Sequence, residues 1–304
     1  MENQTTVTYF LLLEFSKNKN LRFLHFFLFF VLYLTTVTTN LLIISAVTFD
    51  HRLHRPMYFF LMNLALQDLG IVSIIVPKSM INYITDNRCI SYFGCVAQIF
   101  LFASFLASDF FLLTAMAYDR YVAICHPLHY EMVMNWKYCI EIIILVWVTG
   151  LFWGMLNATG TFSILFCSNV VNQFFCEMPH LVKLSCSGIN LLEVGILVAG
   201  IITAVGCFTF IAVSYAVIFK TVLRIPSKNG RQKALSTCIP HLTVVSMLIS
   251  SGSIANLRST FNTPSYLDFG LTVLYALLPP MFNPIIYSMK NTNIKSALSQ
   301  FCKF

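Results

Sequence analysis

Charge is what this chain lacks. Only 10% of its 304 residues are Asp, Glu, Lys or Arg, against about 25% in a soluble domain, so too little polar surface exists to cover a globule in water. Other absences narrow the field further. There is no H-E-x-x-H, G-x-x-x-x-G-K-[ST], nucleophile elbow or G-x-G-x-x-G, and these would mark zinc, nucleotide, acyl-transfer or dinucleotide chemistry. Nothing points to an enzyme or to a nucleic-acid partner. The cysteines show no C-x-x-C spacing, so a metal site is not expected. Residues 1–20 lack the charged, apolar, then small order of a cleaved signal. The strict alternation of membrane β-barrel strands is missing, and so are transporter-type internal repeats.

What is present is apolar sequence in long runs, 58% of the residues being hydrophobic. A bilayer core takes about 20 apolar residues of helix. Runs of that kind cover 24–49, 57–76, 92–118, 140–162, 194–219, 234–257 and 269–289. The expected fold is all-α, a seven-helix membrane bundle in one domain. Residues 1–23 precede it and a short tail, 290–304, follows.

Basic residues set the expected orientation. With the N-terminus outside, Lys17, Lys19, Arg22, Lys78, Arg88, Lys183 and Arg258 lie on outer segments, and the other twelve of 19 lie inside. The third inner loop, KTVLRIPSKNGRQK, carries the bias, so the positive-inside rule gives N-out and C-in. Asn3, in Asn3-Gln4-Thr5, is then an outward glycosylation acceptor.

Cys95, Cys167, Cys176 and Cys186 fall on the outer side. That compartment is oxidising, and four cysteines allow three pairings. The remaining thiols read as small buried hydrophobes.

Ionisable groups within a span each need a reason, because one at a helix centre costs at least about 2.5 kcal/mol. Asp68 lies mid-way along the second span and Asp109 mid-way along the third. If both face inward they repel unless a sodium ion or a proton lies between them. The plainer alternative is a protonated pair bonded to neighbours such as Ser73 or Asn283. His241, with no second histidine at i+3 or i+4, reads as a hydrogen-bonded packing residue. Prolines 279, 280 and 284 interrupt the seventh span and make it a candidate moving part.

Asp119-Arg120-Tyr121 closes the third run, and Asn283-Pro284-Ile285-Ile286-Tyr287 closes the seventh. On these motifs the chain resembles a rhodopsin-like G-protein-coupled receptor. Within that class, PMYFFLMNLALQDLG (56–70), MAYDRYVAICHPLHY (116–130), FFCEMPHLVKLSC (174–186), KALSTCIPHLTVV (233–245) and PMFNPIIYSMKN (280–291) resemble vertebrate olfactory receptors along the whole chain.

The resemblance implies disulfides Cys95–Cys176 and Cys167–Cys186. It also implies a resting contact of Arg120 with Asp119, released toward a G protein on activation. Tyr121, Tyr215, His241, Asn283, Pro284 and Tyr287 would serve that switch. The partners implied are a small odorant, membrane lipid and the heterotrimeric stimulatory G protein of olfactory neurons, with cyclic AMP as output. The expected location is the plasma membrane of sensory cilia. Two departures stand out. Thr39 precedes Asn40 where the family usually has glycine, and Met247-Leu248-Ile249-Ser250-Ser251-Gly252 replaces the usual Phe-Tyr-Gly region of the sixth helix.

The expected ligand pocket lies in the outer half of the bundle, apolar with few polar anchors. Phe102, Ala103, Phe105 and Leu106 would face Ala199 and Thr203 of the fifth span and Ser251, Ala255 and Asn256 of the sixth. Amine receptors carry an acid on that part of the third helix; Phe102 stands here, which favours a neutral, largely apolar odorant. The competing readings are a receptor for a non-olfactory lipid or peptide, and a small transporter.

Overall fold

The computed structural model describes residues 7–13, 19–85, 87–186, 191–259, 266–290 and 292–301, without the side chains of 19, 254–259, 266–268, 289, 290, 292, 300 and 301. Among the described residues seven helices are long and apolar enough to cross a membrane. They are α1 (Lys19–Phe49), α2 (Pro56–Thr85), α3 (Tyr92–Cys125), α4 (Trp136–Phe162), α5 (Leu191–Leu223), α6 (Lys228–Ser259) and α7 (Tyr266–Lys290). A shorter helix, α8 (Thr292–Phe301), follows.

Large apolar side chains line their outer faces. On α5 alone Leu197, Ile201, Ile202, Val205, Phe208 and Val213 are exposed. In water this would be an error of folding, but in a bilayer those side chains are matched to their solvent, while the helices satisfy their own backbone. The chain is a multi-pass membrane protein.

Two spans run furthest past their expected ends. Proline at 77 and the charges at 119 and 120 suggest stops at 76 and 118. Instead α2 continues through Pro77 to Thr85, and α3 carries Asp119 and Arg120 on to Cys125. Proline interrupts the hydrogen-bond ladder, and nearby Gln98 Nε2 donates to Ile74 O at 3.0 Å. The α3 charges are tolerated because they are paired at the end of the bundle. Ser91 caps the start of α3, its Oγ accepting from Gly94 N at 3.1 Å.

Close packing organises the centre. Gly150 and Gly154, four apart on α4, lie against α3. A Cβ on Gly150 would come within 1.8 Å of Ser108 Oγ and 2.7 Å of Ser104 O. One on Gly154 would meet Ser104 Oγ at 1.9 Å and Phe100 O at 2.4 Å. Small residues at this spacing let membrane helices approach closely. Pro279, Pro280 and Pro284 all lie within α7. Asn40 Nδ2 of α1 donates to Pro280 O and to Thr36 O, each at 3.0 Å, tying α1 to α7.

A small sheet covers one end of the bundle. Strand β1 (Tyr9–Leu12) pairs antiparallel with β2 (Cys89–Ser91) and parallel with β3 (Val170–Val171), in the order β2-β1-β3. Phe10 and Leu12, two apart, share the buried face, as strand geometry requires. Phe10 packs on Tyr92, Phe162 and Phe166.

Candidate functional site

At the end away from the sheet, Arg120 Nη2 lies 3.4 Å from Asp119 Oδ2, and both side chains are buried. The other carboxylate oxygen is held from outside α3: Tyr130, in the one-turn helix Tyr130–Val133, donates its hydroxyl to Asp119 Oδ1 at 2.7 Å. Burial pushes the Tyr130 pKa upward, and the Asp119 carboxylate adds to the shift, so the phenol stays a donor. Tyr121 turns aside, its hydroxyl 3.1 Å from His126 Nε2.

About two turns deeper along α3, His241 joins three helices. Its Nε2 lies 2.9 Å from Leu113 O of α3, and its Nδ1 lies 2.8 Å from the Tyr215 hydroxyl of α5. A carbonyl only accepts, so the proton of a neutral His241 is on Nε2, and Tyr215 donates to Nδ1. This is the packing role expected of that histidine, and it ties α6 inward.

The two mid-span acids are fully buried. Asn283 Nδ2 donates to Asp68 Oδ1 and Oδ2 at 3.0 and 3.2 Å, whereas Ser73 is exposed. Asp109 is close enough for its charge to bear on Asp68. Asp109 Oδ1, Asn283 Oδ1, Asn40 Oδ1 and the Tyr287 hydroxyl are buried without hydrogen-bond partners among the described residues. Unmatched buried oxygens of this kind suit a proton, an ordered water or a small hard cation. Pro284 directly follows Asn283 and breaks the local helix ladder.

At the sheet end, Cys95 is bonded to Cys176 and Cys167 to Cys186. The first bond draws residues 173–177 over the bundle as a roof. Cys176 N donates to Gln98 Oε1 at 2.8 Å, Ser79 Oγ donates to Phe174 O at 3.4 Å and Gln173 Nε2 donates to Thr272 Oγ1 at 2.7 Å. Leu13 N, just past β1, donates to Gln173 O at 2.9 Å. The Tyr275 hydroxyl donates to Glu177 Oε1, while Glu177 Oε2 lies 3.5 Å from His180 Nδ1.

Beneath this roof, Phe102 packs edge-on to Phe175 and Tyr275, with ring centres 5.3 and 6.5 Å away. Phe105 and Leu106 border the same apolar cluster. Phe105, however, is committed to packing: its ring stacks edge-on with Trp147 at 5.7 Å and fills the space over Gly70. Ala103 is half-buried.

On α5, Gly200 faces Trp153 and Ala199 beside it is exposed, so the inward stripe passes through Ile196, Gly200 and Thr203 rather than Ala199. Thr203 Oγ1 is bonded to Ala199 O at 2.8 Å, and Ser251 Oγ to Met247 O at 2.6 Å. The side chains of Ala255 and Asn256, and all of Asn3, lie outside the described residues.

Sequence reasoning missed Tyr130, Glu177, Tyr275 and the Gly150/Gly154 pair. Only the glycines carried a readable signal, the G-x-x-x-G spacing inside an apolar run. Tyr130 acts through a fold-back that spacing does not reveal.

A family model described as olfactory receptor matches residues 29–303. Olfactory receptor 14A16 of Homo sapiens is 44% identical over all of this chain and 98% of its own length. Olfactory receptor 14C36 of Homo sapiens is 46% identical over all of this chain and 97% of its own, and human olfactory receptor 14A2 is 45% identical over 98% and 95%. The chain therefore belongs to the olfactory receptor family: it is an odorant-sensing G-protein-coupled receptor of the plasma membrane, not an enzyme.

Proposed function

We propose that this receptor takes small, neutral, largely apolar odorants, couples to a stimulatory G protein and raises cyclic AMP. The observation that carries the ligand class is the aromatic layer beneath the roof, Phe102 with Phe175 and Tyr275. Glu177 above it already accepts from the Tyr275 hydroxyl, so a cationic ligand would have to compete for that carboxylate. Phe102, Ala103 and Leu106 on α3, Thr203 on α5 and Ser251 on α6 are the lining residues of this reading, with Phe105 as a packed support. A ligand shifts a receptor only through its differential affinity for the two arrangements. A small odorant makes few contacts, so micromolar potency is expected.

The N-terminus outside and the C-terminus inside fit both the basic residues and the disulfides, which persist in an oxidising compartment. In that frame Asp119–Arg120, braced by Tyr130, is the resting latch whose opening presents Arg120 to the G protein. Tyr215, His241, Asn283, Pro284 and Tyr287 form the linkage from the bundle centre to it. The partnerless oxygens around Asp68 and Asp109 favour a sodium ion or a proton there in the resting state. The test is a cyclic AMP assay in cells that display the receptor, across neutral and charged odorants. Micromolar responses confined to neutral apolar compounds are expected. Nanomolar responses to a charged compound would overturn the ligand class, and responses without cyclic AMP would overturn the coupling.

A further inference from the structure

Away from the odorant region, a cleft of about 320 Å³ lies between α5 and α6. Its floor is Ile211, Tyr215 and Val245, all buried, and its rim includes Phe208, Ala212, Ser246 and Ser250, all exposed. Both walls come from two adjacent helices, so a buried floor with an exposed rim opens outward, toward the bilayer. Tyr215 lies eight residues before the end of α5, about 12 Å along the helix, which places the cleft at hydrocarbon depth.

The lining selects its occupant. Among the described residues no charged side chain lines the cleft; the Tyr215 hydroxyl is bonded to His241, and Ser250 Oγ to Met247 O at 3.3 Å. Water would find few partners there, whereas hydrocarbon surrounds the opening. Between Phe208 and Tyr215 on one wall, and Leu242 and Ser250 on the other, the cleft runs about 10–12 Å along the helices, the direction in which acyl chains lie. Toward the Asp119–Arg120 end both walls finish in cations. Lys220 is exposed in the last turn of α5 and Arg224 just after it, and Lys228 and Lys233 are exposed at the start of α6. An apolar groove that ends in a basic cluster matches a molecule with a hydrocarbon chain and an anionic head.

We propose that this cleft binds an anionic glycerophospholipid, with one acyl chain between α5 and α6 and the headgroup on the Lys220–Arg224 end, and that its occupancy favours the resting arrangement. The second half follows from Tyr215, which is both the cleft floor and the partner of His241. A ligand that fits the cleft while that bond is closed selects the closed state.

The test uses the full-length receptor in phosphatidylcholine nanodiscs containing a phosphatidylserine with a photoactivatable acyl chain, followed by mapping of the labelled residues. Labelling of Ala212, Val245 or Ile249 should exceed that of the lipid-facing controls Ile144 and Val205 at least fivefold. Unlabelled phosphatidylserine should compete better than phosphatidylcholine. Ser246→Phe, which fills the cleft, should remove the labelling, and Lys220→Gln with Arg224→Gln should reduce it severalfold. In the same discs phosphatidylserine should lower basal G-protein activation of the unmodified receptor about threefold. Cleft labelling no greater than at the controls would overturn the site. Equal labelling by a phosphatidylcholine probe would overturn the anionic headgroup, and displacement by a short neutral alcohol would reassign the cleft to small molecules. Labelling without any change in basal activation would overturn the regulatory half.

Discussion

The two ends of the bundle are held by different kinds of bond. At the sheet end the roof is covalently tied to α3, and its strands, aromatic rings and amides cross-brace β1, α2, α3 and α7. At the other end α3, α5 and α6 share apolar packing, and the polar contacts there are few: Asp119 with Arg120 within α3, Tyr130 with Asp119 from the following loop, and His241 of α6 with Tyr215 of α5 and Leu113 of α3. The first set resists rearrangement; the second can be exchanged one bond at a time. A receptor needs that asymmetry, because a pocket must keep its shape while the opposite end changes partners.

The largest expected effect comes from breaking the stapled end. Cys95 and Cys176 are 81 residues apart, and a loop of that length is worth about 4–5 kcal/mol in chain entropy. Cys95→Ser with Cys176→Ser should lower surface display more than tenfold, as read by antibody labelling of intact cells. Normal display would show that the roof is held by its hydrogen bonds and aromatic packing alone.

The α3–α4 contact behaves like the stapled end although no covalent bond crosses it. Gly150→Val pushes carbon into Ser108 Oγ and the Ser104 carbonyl, and a backbone atom does not move aside cheaply. A loss of about 3 kcal/mol is expected, the upper end for overpacking. Gly206 meets nothing within 4 Å, so Gly206→Ala is the control and should change stability by no more than about 1 kcal/mol. Thermal unfolding of both variants in detergent checks the pair. Similar melting temperatures would mean that α3 and α4 are less tightly joined than their glycines indicate.

At the exchangeable end, Tyr130→Phe removes one hydrogen bond to a carboxylate, worth about 1.5–3 kcal/mol. The fold should survive, because the ring stays. The freed Asp119 holds Arg120 less well, so basal G-protein activation should rise at least threefold, with odorant potency rising in step. A change in display without a change in basal activity would make Tyr130 a packing residue and leave the latch to Asp119 and Arg120 alone.

These contrasts also mark what the sequence could show. Hydropathy revealed all seven spans, because a bilayer demands an unbroken apolar run and little else satisfies that demand. It failed at the ends of α2 and α3, where Pro77 lies within a continuing helix and the Asp119-Arg120 pair is absorbed by a tertiary partner, Tyr130. It failed for β1, too short for its alternation to stand out, and for α8, whose buried Ile294 and Ala297 sit in what reads as a tail. Asp68, Asp109 and His241 were legible as problems, since buried polar groups need partners. Which partners they found depends on helix rotation. The same limit separates Phe102, which lies under the roof, from Phe105, which packs on Trp147, and Ala199 from the inward stripe beside it.

The smallest effect tests whether contacts, rather than charge alone, govern the exchangeable end. Lys137 and Glu141 form an i, i+4 pair at 4.0 Å on α4, with side chains 88% and 57% exposed. It lies at the same end as Asp119 and Arg120, whose side chains are nearly covered. An exposed pair is screened and pays for its geometry in side-chain entropy, leaving about 0.3–0.5 kcal/mol. Lys137→Gln should therefore leave basal activation and odorant potency within about twofold of the unmodified receptor, less than the change expected for Tyr130→Phe. If Lys137→Gln matched Tyr130→Phe, the end would respond to its total charge, and the buried geometry around Asp119 would not be what sets the resting state.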